Sequence, residues 1–544
     1  MSLSTDLTLI ELGLDALEDL EVRSLVWGLV DVAMSHEEVS EVLRGVLHSD
    51  RGSELGGRDD CTIYTGADLR DRLVWHHALF PALDQQGEQL GWRTRMAEGV
   101  RLLTQLRQLF PRHRDGGWTS AATLVAGYRL VRRPRRYPKR DIAPTEAREA
   151  LSANLQEQTL REAVAHWLDA LKPGSGLARF QLDATSRILR SLEEGSRTGT
   201  LVSAGTGSGK TLAFYLPALA WLASQRVLDP SARGVRILAL YPRNELLKDQ
   251  LAAVYQQCRK FDNWIGSKKG RPLRIGVLYG ETPNTLVPHR RTTGWERNHA
   301  GGYSVCPFFR CPECGEELRV YDAELEAGTN RLVCKSGTHW IDDTTMAYTR
   351  AAITAEPPDV LFTSVEMLNR HLPSVDLRHV FGVGPRAQRA PDLVLMDEVH
   401  LYAGTYGAQV AYLMRRWWTA THRKSSFVGL SATLANGRSF FASLTGLSES
   451  VVQEIRPDEN DMVQEGAEYL LALRGDPVSQ SALLSTTIQT LMLGTRLLDH
   501  RDQFNRDTWP FFGWRSFAFT DQLDVVNRLY RDLLDAEGRY PDSG

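Results

Sequence analysis

A glycine-rich segment has the residue types of a phosphate-binding loop. It reads Ala204, Gly205, Thr206, Gly207, Ser208, Gly209, Lys210 and Thr211, and it lies between two apolar runs. Glycines let backbone N–H groups approach phosphate oxygens, and a following helix adds its free N–H groups and its positive dipole end. Lys210 would reach the β- and γ-phosphates, and the Thr211 hydroxyl would bind Mg²⁺. The segment therefore predicts a nucleotide site.

Two adjacent carboxylates, Asp397 and Glu398, directly follow the apolar run 393–396. An isolated pair of this kind is usually a charged turn, but here it lies after an apolar run and downstream of the phosphate loop. Asp397 would help to hold Mg²⁺, and Glu398 would orient and deprotonate the attacking water. His400 and the hydroxyls of Ser431 and Thr433 would form a relay that senses the γ-phosphate.

The polar clusters share one position relative to the predicted elements. Near-continuous apolar runs, separated by helical stretches, lie at 201–203, 235–241, 273–280, 359–363, 393–396 and 427–430. Such runs are typical of buried parallel strands, so the pattern predicts an α/β fold with a doubly wound parallel sheet. Ligands bind at the carboxyl ends of such strands. One edge of the sheet should therefore carry all the clusters.

The three clusters, in order, resemble motifs I, II and III of the superfamily 2 DExH helicases, a family with RecA-like P-loop lobes. Ala204 stands where the usual loop has glycine, a substitution found in helicases. Residues 401–407, with two tyrosines and two glycines, and residues 434–446 make the sequence similar to the Lhr and MrfA type. Within that type it is most similar to DpdJ, a helicase-like family of the bacterial system that places deazaguanine bases in DNA. The DrmA helicases of DISARM phage defence come second.

The resemblance implies further site residues. Gln181, beside Phe180, occupies the place from which this family contacts the adenine edge. Arg243 belongs to a segment that resembles motif Ia, and Thr363 and Ser364 begin one that resembles motif Ib. Both motifs contact the nucleic-acid backbone in the family, so they do not distinguish DNA from RNA, and DNA is favoured by the resemblance alone.

A cysteine-rich insertion at 295–350 lengthens the interval between Lys210 and Asp397. Four of the six cysteines of the chain, Cys306, Cys311, Cys314 and Cys334, lie in it. A C-x2-C turn followed by glycine presents two thiolates to one ion, so a closed, structural zinc site is predicted. His339 could replace one of the cysteines. The alternative is four free buried thiols. Cys61 and Cys258 are predicted to be core residues.

Composition excludes few classes. The chain has 544 residues and a net charge of −3, so any nucleic-acid surface must be local. No signal peptide or membrane span is visible, which predicts a cytoplasmic protein without a membrane partner. The run 128–140 is rich in arginine, tyrosine and proline, and it fits a nucleic-acid-binding arm and an interdomain linker equally well.

Four regions are predicted along the chain. Residues 1–165 form a mostly helical domain, 166–450 the RecA-like lobe, 451–510 a partly helical linker, and 511–544 the start of a second RecA-like lobe, with a strand near 514–521. Motifs V and VI are not found, so a further chain or C-terminal part is expected to carry the rest of that lobe. The predicted function is that of an ATP-dependent DNA helicase or translocase subunit. The alternative is a nucleotide-dependent switch or recruiting module without unwinding activity.

Overall fold

The computed structural model describes residues 5–84, 86–107, 121–205, 207–423, 425–432, 434–477, 483–499, 511–520 and 522–539. The chain divides into two compact units. The discontinuous unit comprises residues 1–136 and 464–544, and the central unit comprises residues 137–463. No helix in the described ranges is both long enough and apolar enough to cross a bilayer.

The N-terminal part of the discontinuous unit is mainly helical, as predicted. Its elements are α1 (Thr5–Leu25), α2 (His36–His48), α3 (Asp50–Gly56), α4 (Gly66–Trp75), β1 (Leu79–Leu83), β2 (Gln89–Thr94), α5 (Arg95–Thr104) and β3 (Val125–Pro138). Capping boxes begin α2 at Ser35 and α4 at Thr65, where the cap side chain accepts from the third helical N–H group. Buried leucines of α1, α2 and α4 form the core of this part.

The central unit contains the elements that position the predicted site. Before the insertion these are α6 (Pro144–Ser152), α7 (Gln158–Asp169), α8 (Arg179–Glu193), β4 (Gly199–Ser203), α9 (Lys210–Leu228), β5 (Ile237–Tyr241), α10 (Asn244–Arg259), α11 (Asp262–Ser267) and β6 (Ile275–Leu278). The insertion contributes β7 (Glu296–Asn298), β8 (Tyr303–Val305), β9 (Leu318–Tyr321), α12 (Asp322–Glu326), β10 (Arg331–Cys334) and β11 (Trp340–Asp342). After it come β12 (Met346–Ala347), α13 (Arg350–Ala355), β13 (Val360–Ser364), α14 (Val365–His371), β14 (Leu393–Met396), α15 (Gly404–Thr421), β15 (Ser426–Ser431), α16 (Gly437–Thr445) and β16 (Val452–Ile455).

The main sheet is parallel throughout, which confirms the predicted fold class. Its eight strands have the order β12-β6-β13-β5-β14-β15-β4-β16, and each neighbouring pair is parallel. The strands β4, β5, β6, β13, β14 and β15 are buried along their whole length, as expected for a sheet covered on both faces. The sheet is RecA-like: its strands are parallel, helices connect them, and the phosphate loop lies between β4 and α9.

The predicted insertion forms a sheet of its own. Its strands have the order β11-β10-β9-β8-β7, and they pair antiparallel. Antiparallel strands need only short connections, so a short insertion can build such a sheet without helical crossovers.

The remaining elements are β17 (Met462–Gly475), α17 (Leu483–Arg496) and α18 (Leu523–Ala536). β17 pairs with β3, so the arginine-rich run forms a paired strand as far as Pro138, and the boundary between the two units lies within this run.

The structure departs from the predicted domain boundaries at two places and from a predicted strand at a third. Helices α6 and α7 belong to the central unit, although the sequence prediction places them in the N-terminal domain. Strand β16 extends the sheet beyond residue 450, where a linker is predicted. Because two of its four residues, Gln453 and Glu454, are polar, this strand does not show as an apolar run in the sequence. Residues 513–520 form no strand, because a strand requires a hydrogen-bonded neighbour; the assignment of this segment to a second lobe stays a prediction.

Candidate nucleotide-binding site and metal centre

The phosphate loop joins the buried strand β4 to the helix α9. Gly207 and Gly209 both have left-handed backbone conformations, with φ of 77° and 83°. A Cβ atom at Gly209 would lie 2.7 Å from the Gln181 amide nitrogen, so this position requires glycine. The Ser208 hydroxyl donates to the Gly205 carbonyl at 2.7 Å and closes the turn. Thr206 lies outside the described residues, and Thr211 lies in the first turn of α9.

Gln181 holds the loop from the side of α8. Its side-chain oxygen accepts from the Ala178 N–H group at 2.9 Å, and its amide nitrogen donates to the Gly209 carbonyl at 2.9 Å. The side chain is buried; the first hydrogen bond fixes it to the start of α8, and the second joins it to the loop. The prediction that Gln181 contacts adenine remains to be tested, and its neighbour Phe180 is a core residue.

Lys210 is the first residue of α9, and its side chain reaches the end of β15. Its ammonium group donates to the Ser431 carbonyl at 3.2 Å. The same carbonyl accepts from the Ala204 N–H group at 3.2 Å, so β15 and the loop are joined directly. The predicted motifs I and III are thus neighbours.

Asp397 and Glu398 follow β14 in a strained turn. Glu398 has φ of 45°, a left-handed conformation that is uncommon for a residue with a side chain. Its N–H group donates to the Asp397 carboxylate at 2.8 Å. Burial raises the pKa of Asp397 to about 6, although that hydrogen bond and the charge of Lys210 act in the opposite direction. A cation bound beside this half-buried carboxylate would favour its charged form.

His400 connects the carboxylates to β15. Its Nδ1 atom lies 3.2 Å from a Glu398 carboxylate oxygen and 3.4 Å from the Ser431 hydroxyl. These distances bring His400 and Ser431, two members of the predicted relay, together beside Glu398. The third member, Thr433, lies outside the described residues.

The predicted nucleic-acid residues begin helices at the same edge of the sheet. Arg243 is the N-cap of α10, and Ser364 is the N-cap of α14. The Ser364 side chain accepts from the Met367 N–H group at 3.3 Å, and the buried Thr363 hydroxyl donates to the Leu278 carbonyl at 2.7 Å. Both hydroxyls are therefore engaged within the fold, and a contact of either with nucleic acid stays a prediction.

Two side chains near the loop were missed by the sequence prediction. Arg140 donates to the Gly207 carbonyl at 3.3 Å. The Tyr137 ring lies where a Cβ atom at Gly207 would approach it to 3.1 Å. Both residues belong to the arginine-rich run, which gave no sign that its end lies against the phosphate loop.

The insertion brings four metal-ligating side chains together. The ligand atoms of Cys311, Cys314, Cys334 and His339 all lie within 4.8 Å of one another. The Cys334 sulfur is 3.8 Å from His339 Nδ1, close to the edge of a tetrahedron with zinc–ligand bonds of about 2.0–2.3 Å. Burial raises the pKa of Cys334, but hydrogen bonds from Ser336, His339 and Thr338 outweigh burial and lower it to about 5. This set can hold zinc.

Cys306 is not part of this group, so the expected set of four cysteines is corrected to three cysteines and a histidine. Cys306 is buried, and burial raises the pKa of its thiol to about 12, which disfavours the thiolate that binds metal. His339 takes the fourth place, as the sequence analysis allowed. Cys61 and Cys258 are buried free thiols, as predicted.

A family model and several known proteins match the chain. Residues 179–283 match the family model of the DEAD/DEAH box helicases. The Druantia protein DruE of Escherichia coli (strain UMEA 4076-1) is 27% identical over 352 residues, which are 56% of this chain and 19% of DruE. The Lhr helicase/uracil glycosylase of Escherichia coli (strain K12) is 34% identical over 103 residues, 19% of this chain and 6% of that protein. The chain thus spans about a fifth of DruE and less of Lhr.

Among solved structures, the DUF1998 helicase MrfA bound to DNA matches with a TM-score of 0.37 and 16% identity, over 68% of this chain and 35% of that chain. The Mycobacterium smegmatis helicase Lhr, bound to single-stranded DNA and AMP-PNP, matches with a TM-score of 0.33 and 22% identity, over 56% of this chain and 28% of that chain. The family match and the two sequence relatives confirm the predicted resemblance to helicases of the Lhr type, whereas the finer resemblance to DpdJ and DrmA stays a prediction. The chain therefore carries a DEAD/DEAH box helicase domain that is homologous to DruE and to Lhr.

Proposed function

We propose that this chain is an ATP-dependent DNA helicase or translocase subunit, which couples ATP hydrolysis to movement along nucleic acid. The observation that carries the proposal is the convergence of Lys210, Asp397, Glu398, His400 and Ser431 at one edge of the parallel sheet. These residue types match the needs of phosphoryl transfer, in which positioning and charge stabilisation dominate.

Each residue has a distinct role in the proposed reaction. Lys210 binds the β- and γ-phosphates, and the backbone N–H groups of the loop and of α9 surround them. Mg²⁺, held through Asp397 and Thr211, would neutralise phosphate charge. Glu398 orients the attacking water and accepts its proton, and His400 relays the state of the site to Ser431 at the end of β15 and to Thr433 beyond it.

Movement needs a second RecA-like lobe, supplied by residues from 511 onward, by a longer chain or by a partner. Residues of that lobe would close on the nucleotide, and the cycle of closing and opening would step the chain along a strand. Similarity to a Druantia protein, together with the sequence resemblance to DpdJ and DrmA, supports a role in bacterial DNA modification or phage defence.

A nucleotide-dependent switch or recruiting module is the second candidate. The antiparallel insertion with its Cys/His group favours it, since nothing in the nucleotide site requires that sheet. In that case the nucleotide would set a conformation and the insertion would bind a partner. Strand displacement by the complete assembly would count against this candidate.

The test is ATP turnover by the chain, with and without single-stranded DNA. Glu398→Gln should retain nucleotide binding and lose turnover, because it keeps the shape of the side chain but not the base. Lys210→Ala should lose nucleotide binding. Unchanged nucleotide affinity in Lys210→Ala would refute the proposed site. Binding without turnover in the wild-type chain would leave a nucleotide-binding half-motor, and the second lobe would then be sought in another chain.

A further inference from the structure

A cavity of about 490 Å³ opens between α14 and α15. This volume lies within the range of small-molecule sites, about 300–1,000 Å³. Helix α14 directly follows β13, and α15 follows the turn after β14; in the sheet, β5 lies between these two strands. The cavity is thus at the carboxyl edge of the sheet, where ligands of this fold class bind, but it is separate from the phosphate loop after β4.

The cavity has an apolar floor and aromatic sides. Val410 and Leu413 are buried beneath it, and Tyr406 and Tyr412 also line it. Tyr412 is 72% exposed, a large exposure for an aromatic ring beside an apolar cavity. Tyrosines around an apolar floor suit a flat aromatic ring, which gains by stacking whatever its substituents are.

Two amide side chains supply the polar part of the lining. Asn369 and Gln409 are both exposed at the cavity. The Arg416 guanidinium donates to the Asn369 side-chain oxygen Oδ1 at 3.2 Å. This bond orients the side-chain amide and leaves its NH₂ group as a donor. An amide offers a donor and an acceptor side by side, the pattern that the edge of a nucleobase requires.

The lining contains one arginine and one carboxylate. The arginine, Arg416, is exposed on α15, and Arg370, outside the lining, is exposed on α14. The acidic residue in the lining, Glu366, accepts a hydrogen bond from the Tyr406 hydroxyl at 2.7 Å and is thereby engaged with the cavity wall. Arginines at this edge can contact the phosphates on either side of a bound nucleotide.

We propose that this cavity binds one unstacked base of a single-stranded nucleic acid, with Tyr412 as the stacking residue and with Asn369 and Gln409 at the base edge. This proposal rests on the proposed function, because it assumes that a strand passes along the carboxyl edge of the sheet. It goes beyond that function because a helicase domain that contacts only the strand backbone needs no base cavity.

The cavity is joined to the predicted catalytic turn by a pair of tyrosines. The rings of Tyr402 and Tyr406 stack with their centroids 6.0 Å apart. Tyr402 is buried and follows His400 by two residues, and its hydroxyl has no hydrogen-bond partner among the described residues. A base that displaces Tyr406 therefore acts on the segment that carries Glu398. Bases on the strand, and not phosphates alone, should then increase ATP turnover.

The experiment compares two strands that differ only in their bases. A labelled oligothymidylate and an abasic strand of the same length and phosphate number are titrated with the chain, and anisotropy gives both dissociation constants. Wild type should bind the base-containing strand about tenfold more tightly or better. Tyr412→Ala should remove this difference, and Tyr412→Phe should keep it, because phenylalanine retains the ring. Tyr64→Ala, at a tyrosine 74% exposed, is the matched control and should behave as wild type.

The outcomes separate this proposal from the function on which it rests. Equal affinity of wild type for both strands would overturn the base cavity while leaving strand binding intact, and so would an unchanged preference in Tyr412→Ala. If wild type binds neither strand, strand binding itself fails and both proposals fall. If the cavity binds a protein partner instead, Tyr412→Ala should leave the preference for the base-containing strand unchanged and should be neutral in every strand assay. Thermal unfolding of each variant shows that the fold is retained.

Discussion

At the scale of single residues, the site shows a conflict between folding and chemistry. Asp397 is placed where burial disfavours its charge, and Glu398 is placed in a left-handed conformation that side chains avoid. Both features cost stability in the isolated chain. They are reasonable at a site that a cation and a phosphate would occupy, because such partners would favour the charged carboxylate and the fixed turn.

The substitution Asp397→Asn should stabilise the chain at neutral pH. The folded-state pKa of about 6 lies above the ordinary value of 3.8, so keeping Asp397 charged at neutral pH costs up to about 3 kcal/mol, whereas asparagine keeps the acceptor for the Glu398 N–H group. Because the pKa of Asp397 is raised in the folded state, the unfolding free energy of wild type falls by this amount as pH rises from about 4 to about 6. Denaturant unfolding should show a gain of about 1–3 kcal/mol for the variant near pH 7.5 and no gain near pH 4. A destabilised variant at neutral pH would contradict the assigned burial cost.

At the scale of elements, the strand β3 explains an arginine-rich run that the sequence left open. Arg132 contacts three carboxylates of α1, those of Asp15, Glu18 and Asp19. Its neighbour Arg133 is exposed and pairs with Glu468 at 2.8 Å. The period of the strand thus divides one basic run between a buried ionic network and a solvent-facing side.

Arg132→Met and Arg133→Met form a matched pair in adjacent positions of β3. Removing Arg132 leaves the buried Glu18 without its cation, so we expect a loss of about 3–5 kcal/mol in unfolding free energy. Arg133→Met breaks an exposed pair and should cost less than about 1 kcal/mol. Urea unfolding measures both. Equal effects would mean that the network of Arg132 contributes no more than a surface contact.

The insertion gives a second prediction at this scale. Cys334→Ser should lose bound zinc, since it removes a ligand of the Cys311, Cys314, Cys334 and His339 group. Cys306→Ser is the control and should keep about one zinc per chain, because Cys306 is outside the group. Elemental analysis of the purified variants decides between the two sets. Zinc lost from Cys306→Ser and kept by a His339→Ala variant would restore the four-cysteine set.

The sequence was sufficient for the elements whose pattern is local. The phosphate loop, the carboxylate pair and the apolar strands depend on neighbouring residues, and the parallel order of the sheet follows from the crossovers between them. The sequence allowed His339 to replace one cysteine but did not say which, because that depends on how β9 and β10 fold back and bury the Cys306 thiol. The approach of Arg140 to Gly207 likewise joins residues 67 positions apart without any periodic signal.

At the scale of the whole molecule, the nucleotide site lies within one unit. Every residue of the proposed site, from Gln181 to Ser431, belongs to the central unit of residues 137–463. The discontinuous unit is assembled from both ends of the chain, with β3 paired to β17 and the Tyr469 hydroxyl donating to Glu18 at 2.6 Å. Chain order therefore does not follow domain order, which is why the central unit of residues 137–463 differs in its limits from the lobe predicted at 166–450.

A fragment of residues 137–463 should consequently fold and bind nucleotide without the rest of the chain. A unit with its own hydrophobic core can fold alone, and all of the proposed phosphate contacts are internal to it, so its affinity for a fluorescent ATP analogue should be within about threefold of that of the chain. Removing residues 464–544 alone is the informative comparison. It deprives β3 of its paired strand and Glu18 of Tyr469, so it should lower the stability of the N-terminal region while leaving nucleotide affinity unchanged. Lost nucleotide binding in a folded fragment would show that the discontinuous unit contributes to the site.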